Sequence, residues 1–132
     1  MRYLLDTDIC IYAMKGHTSV LSRLLAKDRE EIVVSVITEA ELRTGAAKSS
    51  SPIPVLRHIQ NFLRPVTVAE FTSDDAAAYA QLRAKLERAG TPIGPLDTLI
   101  AAQALARKLT MVSNNVREFA RVGGLKVENW AG

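Results

Sequence analysis

Short apolar runs rich in β-branched residues alternate with stretches of helical periodicity along this chain, and that alternation leaves few folds open. Residues 2–6, 32–37, 66–68, 109–112 and 125–127 read as strands. Helical patterns fill the intervals at 9–14, 19–26, 38–47, 55–63 and 96–107, with a long helix between Ser73 and Gly90 and a short one at 115–121. Thr7 or Asp8 can cap the first helix, Thr38 the helix after the second strand and Ser73 the long one. Residues 48–54 form a Ser/Pro loop. Strands separated by helices pair in parallel, because a hairpin cannot span a helix. The expected class is therefore α/β: one domain over residues 1–132 with a mainly parallel sheet covered by helices on both faces. Ligands in such folds gather beyond the carboxyl ends of the strands.

Composition narrows the class. Of 132 residues, 48% are hydrophobic and 23% charged, as in ordinary globular proteins. No apolar run approaches the roughly 18 residues of a membrane span. Asp6 and Asp8 interrupt any signal-peptide core, and the lone Cys10 has no internal disulfide partner and reads as a small buried residue. A cytoplasmic protein is expected, without a membrane partner. A net charge of +3 is mild, although acids neutralised by metal would leave a distinctly positive surface.

Three acids stand where the pattern calls for burial or half-burial. Asp6 ends the run Tyr3-Leu4-Leu5, Glu41 lies in Thr38-Glu39-Ala40-Glu41-Leu42, and Asp97 opens the helix Leu96-Asp97-Thr98-Leu99-Ile100. Buried carboxylates need a partner, and a divalent cation is a common one. Each also has an ordinary reading. Asp6 can cap a helix, as Asp8 can; Glu41 can close a capping box with Thr38; Asp97 can sit against a helix dipole; Glu118 can be surface charge. Glu39 points away from Glu41 and reads as solvent-facing. His17 and His58 lack zinc spacing, and Gly123-Gly124 lacks the lysine and helix of a phosphate loop. An oxygen-only ligand set selects hard cations, Mg²⁺ or Mn²⁺, which chiefly serve phosphoryl chemistry.

Four segments in order resemble the PIN-domain ribonucleases, in particular the VapC toxins of bacterial type II toxin–antitoxin modules. They are Met1-Arg2-Tyr3-Leu4-Leu5-Asp6-Thr7-Asp8; Ser35-Val36-Ile37-Thr38-Glu39-Ala40-Glu41-Leu42 running on to Gly45-Ala46; Gly94-Pro95-Leu96-Asp97-Thr98; and Ser113-Asn114-Asn115-Val116-Arg117-Glu118-Phe119. The ending Val127-Glu128-Asn129-Trp130 is similar to the branch that cuts initiator tRNA. The resemblance implies a Mg²⁺- or Mn²⁺-dependent endoribonuclease acting on RNA, with the tRNA anticodon loop as the sharpest expectation. It implies that Asp6 and Asp97 bind metal and that Glu41 completes the acidic pocket. Asp8 stands where Asn is commoner, and Asn115 where many relatives carry Asp, so Glu118 is a substitute for the fourth charge. Thr7 and Ser113 are hydroxyls that can orient the carboxylates. Arg43, Lys48, Arg117 and Arg121 are candidate phosphate contacts. The implied partners are a VapB-like antitoxin, a second copy of the chain, and operator DNA bound together with the antitoxin. The rival expectation is a catalytically weak regulator that acts only with its antitoxin on DNA.

Overall fold

The computed structural model describes residues 1–132. Five strands, β1 (Tyr3–Leu5), β2 (Ile32–Ser35), β3 (Thr67–Ala69), β4 (Thr110–Val112) and β5 (Val127–Glu128), form one sheet in the order β3-β2-β1-β4-β5, with every pair parallel. Seven helices connect them: α1 (Thr7–Met14), α2 (Thr18–Leu25), α3 (Val36–Lys48), α4 (Pro52–Leu63), α5 (Ser73–Arg88), α6 (Pro95–Ala106) and α7 (Val116–Phe119). The α/β reading with helices on both faces is borne out.

The central strands β1, β2 and β4 are short but almost wholly buried, so their side chains divide by alternation. Tyr3, Leu5, Ile32, Val34 and Val112 join a core roofed by α1 to α4, which also takes in Trp130. Leu4, Val33 and Met111 join the opposite core with Leu82 and Leu86 of α5, Ile100 and Ala104 of α6, and Phe119. The sheet is doubly wound. From β1 the chain moves outward through β2 to β3, then crosses back to β4 on the other side of β1. The switch point between β1 and β4 is where a ligand crevice opens in this architecture.

Several boundaries differ from the sequence reading for local reasons. The helix after β2 begins at Val36, capped by Ser35, whose Oγ accepts from the Ile37 N–H at 3.0 Å. Thr38 is thus inside the first turn and not its cap, and Glu41 lies in the second turn, so no capping box explains it. The first helix begins at Thr7 with Asp6 as its cap, so neither Thr7 nor Asp8 has that role. Thr72 caps α5 in place of Ser73, in a reciprocal box with Asp75. The expected loop at 48–54 shrinks to three residues, because Pro52 suits the first turn of α4.

Candidate active site at the carboxyl edge of the sheet

The end of β1 delivers Asp6, 5% exposed, into the switch point. Its Oδ1 accepts from the Thr7 N–H at 2.8 Å, and its Oδ2 accepts from the Ser113 hydroxyl at 2.8 Å. Ser113 follows β4 directly and in turn accepts from the Asn115 N–H at 2.9 Å. One carboxylate therefore ties together the ends of the two strands that flank the switch point. Asp8, in the first turn of α1, accepts through Oδ2 from the Asn114 N–H at 3.1 Å, while its Oδ1 is buried with no partner.

Glu41 reaches the same edge from α3. The Thr7 hydroxyl donates to Glu41 Oε1 at 2.7 Å and lies 3.0 Å from the Thr38 hydroxyl. Thr38 is fully buried. It sits three residues before Glu41, on the same helix face, and that spacing is the signal by which its part could have been read. Asp97 enters in the first turn of α6, which Gly94 and Pro95 open. Gly94 brings two acids close: a β-carbon there would stand 3.6 Å from Asp97 Oδ2, and its N–H donates to Glu118 Oε1 at 3.2 Å. The Asn115 amide donates to the other oxygen of Glu118. The one acid of the fourth segment, Glu118, thus accepts from both Gly94 and Asn115.

These acids sense one another. Burial, then the Asp8 charge, pushes the Asp6 carboxyl up to about 7 against the lowering donations from Ser113 and Thr7; Asp97 adds to the push. Burial, then Glu118, Glu41 and Asp8, pushes Asp97 up to about 6. Burial also raises Asp8, partly offset by the Asn114 N–H. Five carboxylates from four separate elements therefore share one electrostatic neighbourhood, and none of the salt bridges in the molecule involves any of them. An all-oxygen, negatively charged donor set with an unpartnered buried oxygen fits a hard divalent cation. No three of these side chains are drawn into a closed ligand set; Asp6, Glu41 and Glu118 are engaged by hydrogen bonds from Ser113, Thr7 and Asn115.

The PIN-domain profile matches residues 3–125. The tRNA(fMet)-specific endonuclease VapC of Shigella flexneri is 37% identical over 131 residues, covering 99% of each chain.

The chain belongs to the PIN-domain family, in its VapC branch.

The fold agrees with solved members of that branch. The DNA-bound VapBC complex from Salmonella typhimurium contains a chain that superposes on this PIN domain with a TM-score of 0.94, at 36% identity and 98% coverage of both. A VapBC complex from Rickettsia felis, bound to a DNA fragment from its promoter, gives 0.91 at 35% identity, covering 98% and 99%.

The basic residues singled out from the sequence are scattered around this PIN domain. Arg43 is engaged by half-buried Glu39, Nε to Oε2 at 2.7 Å, so Glu39 is an ion-pair partner and not a free solvated acid. Lys48 and Arg117 are exposed, the former at the far end of α3. Arg121 donates to the Pro92 carbonyl at 3.0 Å. Elsewhere, α1, α3 and α4 enclose an apolar cleft of about 530 Å³, lined by Ile11, Met14, Leu42, Val55 and Ile59, with Glu41 also in its lining.

Proposed function

We propose that this protein is the toxin of a type II toxin–antitoxin pair, a cytoplasmic endoribonuclease dependent on Mg²⁺ or Mn²⁺ that cuts initiator tRNA in its anticodon loop and so stops translation. The observation that carries this reading is the group of Asp6, Asp8, Glu41, Asp97 and Glu118, buried or half-buried together at the switch point with no cationic side chain to balance them. The Shigella flexneri relative, named for its action on tRNA(fMet), supports the choice of RNA.

In this reading Asp6 and Asp97 would hold the ion, and Glu41 would complete the acidic pocket around it. When bound, the ion supplies an activated water and offsets charge on the phosphate under attack. Ser113 and the Thr7 N–H fix the Asp6 carboxylate, and the Thr7 hydroxyl fixes Glu41. Glu118, held by Asn115 and Gly94, keeps the Asp97 end of the site negative. Asp6 and Asp97 carry protons for part of the time near neutral pH, and those protons leave as the ion enters. Cleavage yields a 3′-hydroxyl and a 5′-phosphate. Lys48, Arg117 and Arg121 are free to meet phosphates, whereas Arg43 must first leave Glu39.

A VapB-like antitoxin fits the apolar cleft, where Glu41 in the lining gives a basic side chain of the partner an acid to meet. Leu25 and Ile53, 80% and 72% exposed, favour a second copy as a further partner. Operator DNA is read by toxin and antitoxin together, a proposal consistent with the DNA-bound complexes of the Salmonella and Rickettsia relatives. The second reading, a regulator with a weak site, draws on Asn115 in place of an acid. The test is incubation of purified protein with a tRNA pool and Mg²⁺ or Mn²⁺, with and without EDTA, and the cuts mapped by sequencing. Cuts at one anticodon loop that vanish with EDTA are expected; no cleavage under any condition favours the regulator.

A further inference from the structure

A second cleft, of about 400 Å³, lies between the later turns of α5, the end of α6 and the turn after α7. Its charged lining is Lys85, Arg88 and Arg121, with Gln81 and Thr91 as polar neighbours and no acid. None of the three cations takes part in a salt bridge, although the chain carries 14 acidic residues that could have served. Arg121 uses one donor on the Pro92 carbonyl, which leaves most of its guanidinium free. The Lys85 ammonium reaches across to the turn after α7, 3.9 Å from where a β-carbon on Gly123 would stand. Three like charges gathered around a cleft without a counterion repel one another, and an anion relieves that repulsion.

The cleft is also coupled to the acids in space. Arg121 binds the Pro92 carbonyl, while Glu118, three residues earlier, binds the Gly94 N–H. Pro92 and Gly94 are two residues apart, at most about 7 Å along the chain. One short turn thus has a cationic face and an acidic face. An RNA strand whose scissile phosphate lies at the acids would pass this turn, and with it Arg121 and the cleft that Arg121 lines. Arginine and lysine in this arrangement are standard phosphate ligands.

We propose that Lys85, Arg88 and Arg121 form a phosphate-binding cleft that holds the RNA backbone next to the cleavage site. The proposal rests on the ribonuclease reading, and its test separates the two. The protein is K85Q/R88Q/R121Q, with R29Q/R57Q/R64Q as a control of equal charge loss, and bulk tRNA is the probe. Binding is measured in EDTA across a salt series. The cleft variant is expected to bind at least about tenfold more weakly near 0.1 M salt, with a slope of log affinity against log salt shallower by about 2, the loss of three single-strand phosphate contacts. The control is expected to stay within about twofold. In Mg²⁺ or Mn²⁺, KM for tRNA rises far more than kcat falls. A cleft variant that matches wild type in slope and KM overturns the proposal, as does one that binds tRNA normally but loses affinity for polyglutamate, which points to an acidic protein partner. If wild type binds tRNA through this cleft yet never cuts it, the cleft stands and the nuclease reading falls.

Discussion

Asp6 is both a helix cap and a member of an acidic cluster, and the two roles make opposite demands on its charge. Capping and the Ser113 hydroxyl favour the carboxylate; burial and Asp8 oppose it, and they prevail. The folded protein therefore binds a proton at Asp6 up to about pH 7, whereas the unfolded chain releases it near pH 4. The stability tied to this group is complete below about pH 4 and declines as pH rises toward 7. Metal-free protein should accordingly show a lower urea midpoint at pH 7.5 than at pH 5. Asp6→Asn removes the buried charge but weakens the link to Ser113, so a net gain of about 1–3 kcal/mol at pH 7.5 is expected, fading toward pH 4. The same variant should have no ribonuclease activity; wild-type cleavage by Asp6→Asn would refute the assignment of Asp6 as a metal ligand. Thr7→Val frees Glu41 of its hydroxyl donor without touching the backbone N–H that Asp6 uses. We expect cleavage to fall about 10- to 100-fold, as for other partners of metal-binding carboxylates, with little change in melting temperature.

At the scale of elements, caps and clamps determine where the site residues stand. Ser35 starts α3 early, which moves Glu41 into the second turn and turns it toward Thr7. Ser35→Ala should cost about 1 kcal/mol, or about 3–5 °C in melting temperature for a chain of this size, while cleavage at 25 °C persists. The α5–α6 pair is held by Asp75, 1% exposed, and Arg107, Nη2 to Oδ2 at 3.0 Å. Burial alone would raise the Asp75 pKa; Arg107 and the Thr72 N–H outweigh it and hold the carboxyl below its ordinary value. Its contribution is therefore present above about pH 4 and lost on acidification through the lowered folded value, the reverse of Asp6. Arg107→Met leaves Asp75 buried and unpaired, and a loss of about 2–3 kcal/mol at pH 7 is expected by urea unfolding. None of these polar partners was evident in the chain read linearly. Along the chain Asp75 is only an acid in the first turn of a helix, since Arg107 lies 32 residues away.

For the whole molecule, the doubly wound order fixes where function sits. β1 and β4 are adjacent in space but 107 residues separate Asp6 from Ser113, so a crevice with Asp6 at its centre exists only when the fold is complete. A divalent cation binding there should stabilise the folded state by mass action and relieve repulsion among the acids. Addition of Mn²⁺ or Mg²⁺ at pH 7.5 is expected to raise the melting temperature, EDTA to reverse it, and the effect to shrink at pH 5, where protons compete for Asp6 and Asp97. An unchanged melting temperature at both pH values would argue against an ion among these carboxylates.

Periodicity, strand length and the placing of Asp6, Glu41 and Asp97 within ordered segments were properties of the sequence alone, because alternation and helical spacing follow from local backbone geometry. The class of fold was legible on that basis; the grouping of Asp6, Glu41 and Asp97 came only with the resemblance to the PIN-domain ribonucleases, because each acid alone has an ordinary local explanation. Tertiary structure decided what depends on distance through space: that Ser113 joins Thr7 in holding Asp6, that Asn115 donates to Glu118, that Arg43 is taken by Glu39, and that Lys85 and Arg88 line one cleft with Arg121. Burial and Coulomb interaction depend on which surfaces meet, and only the packed sheet brings those surfaces together.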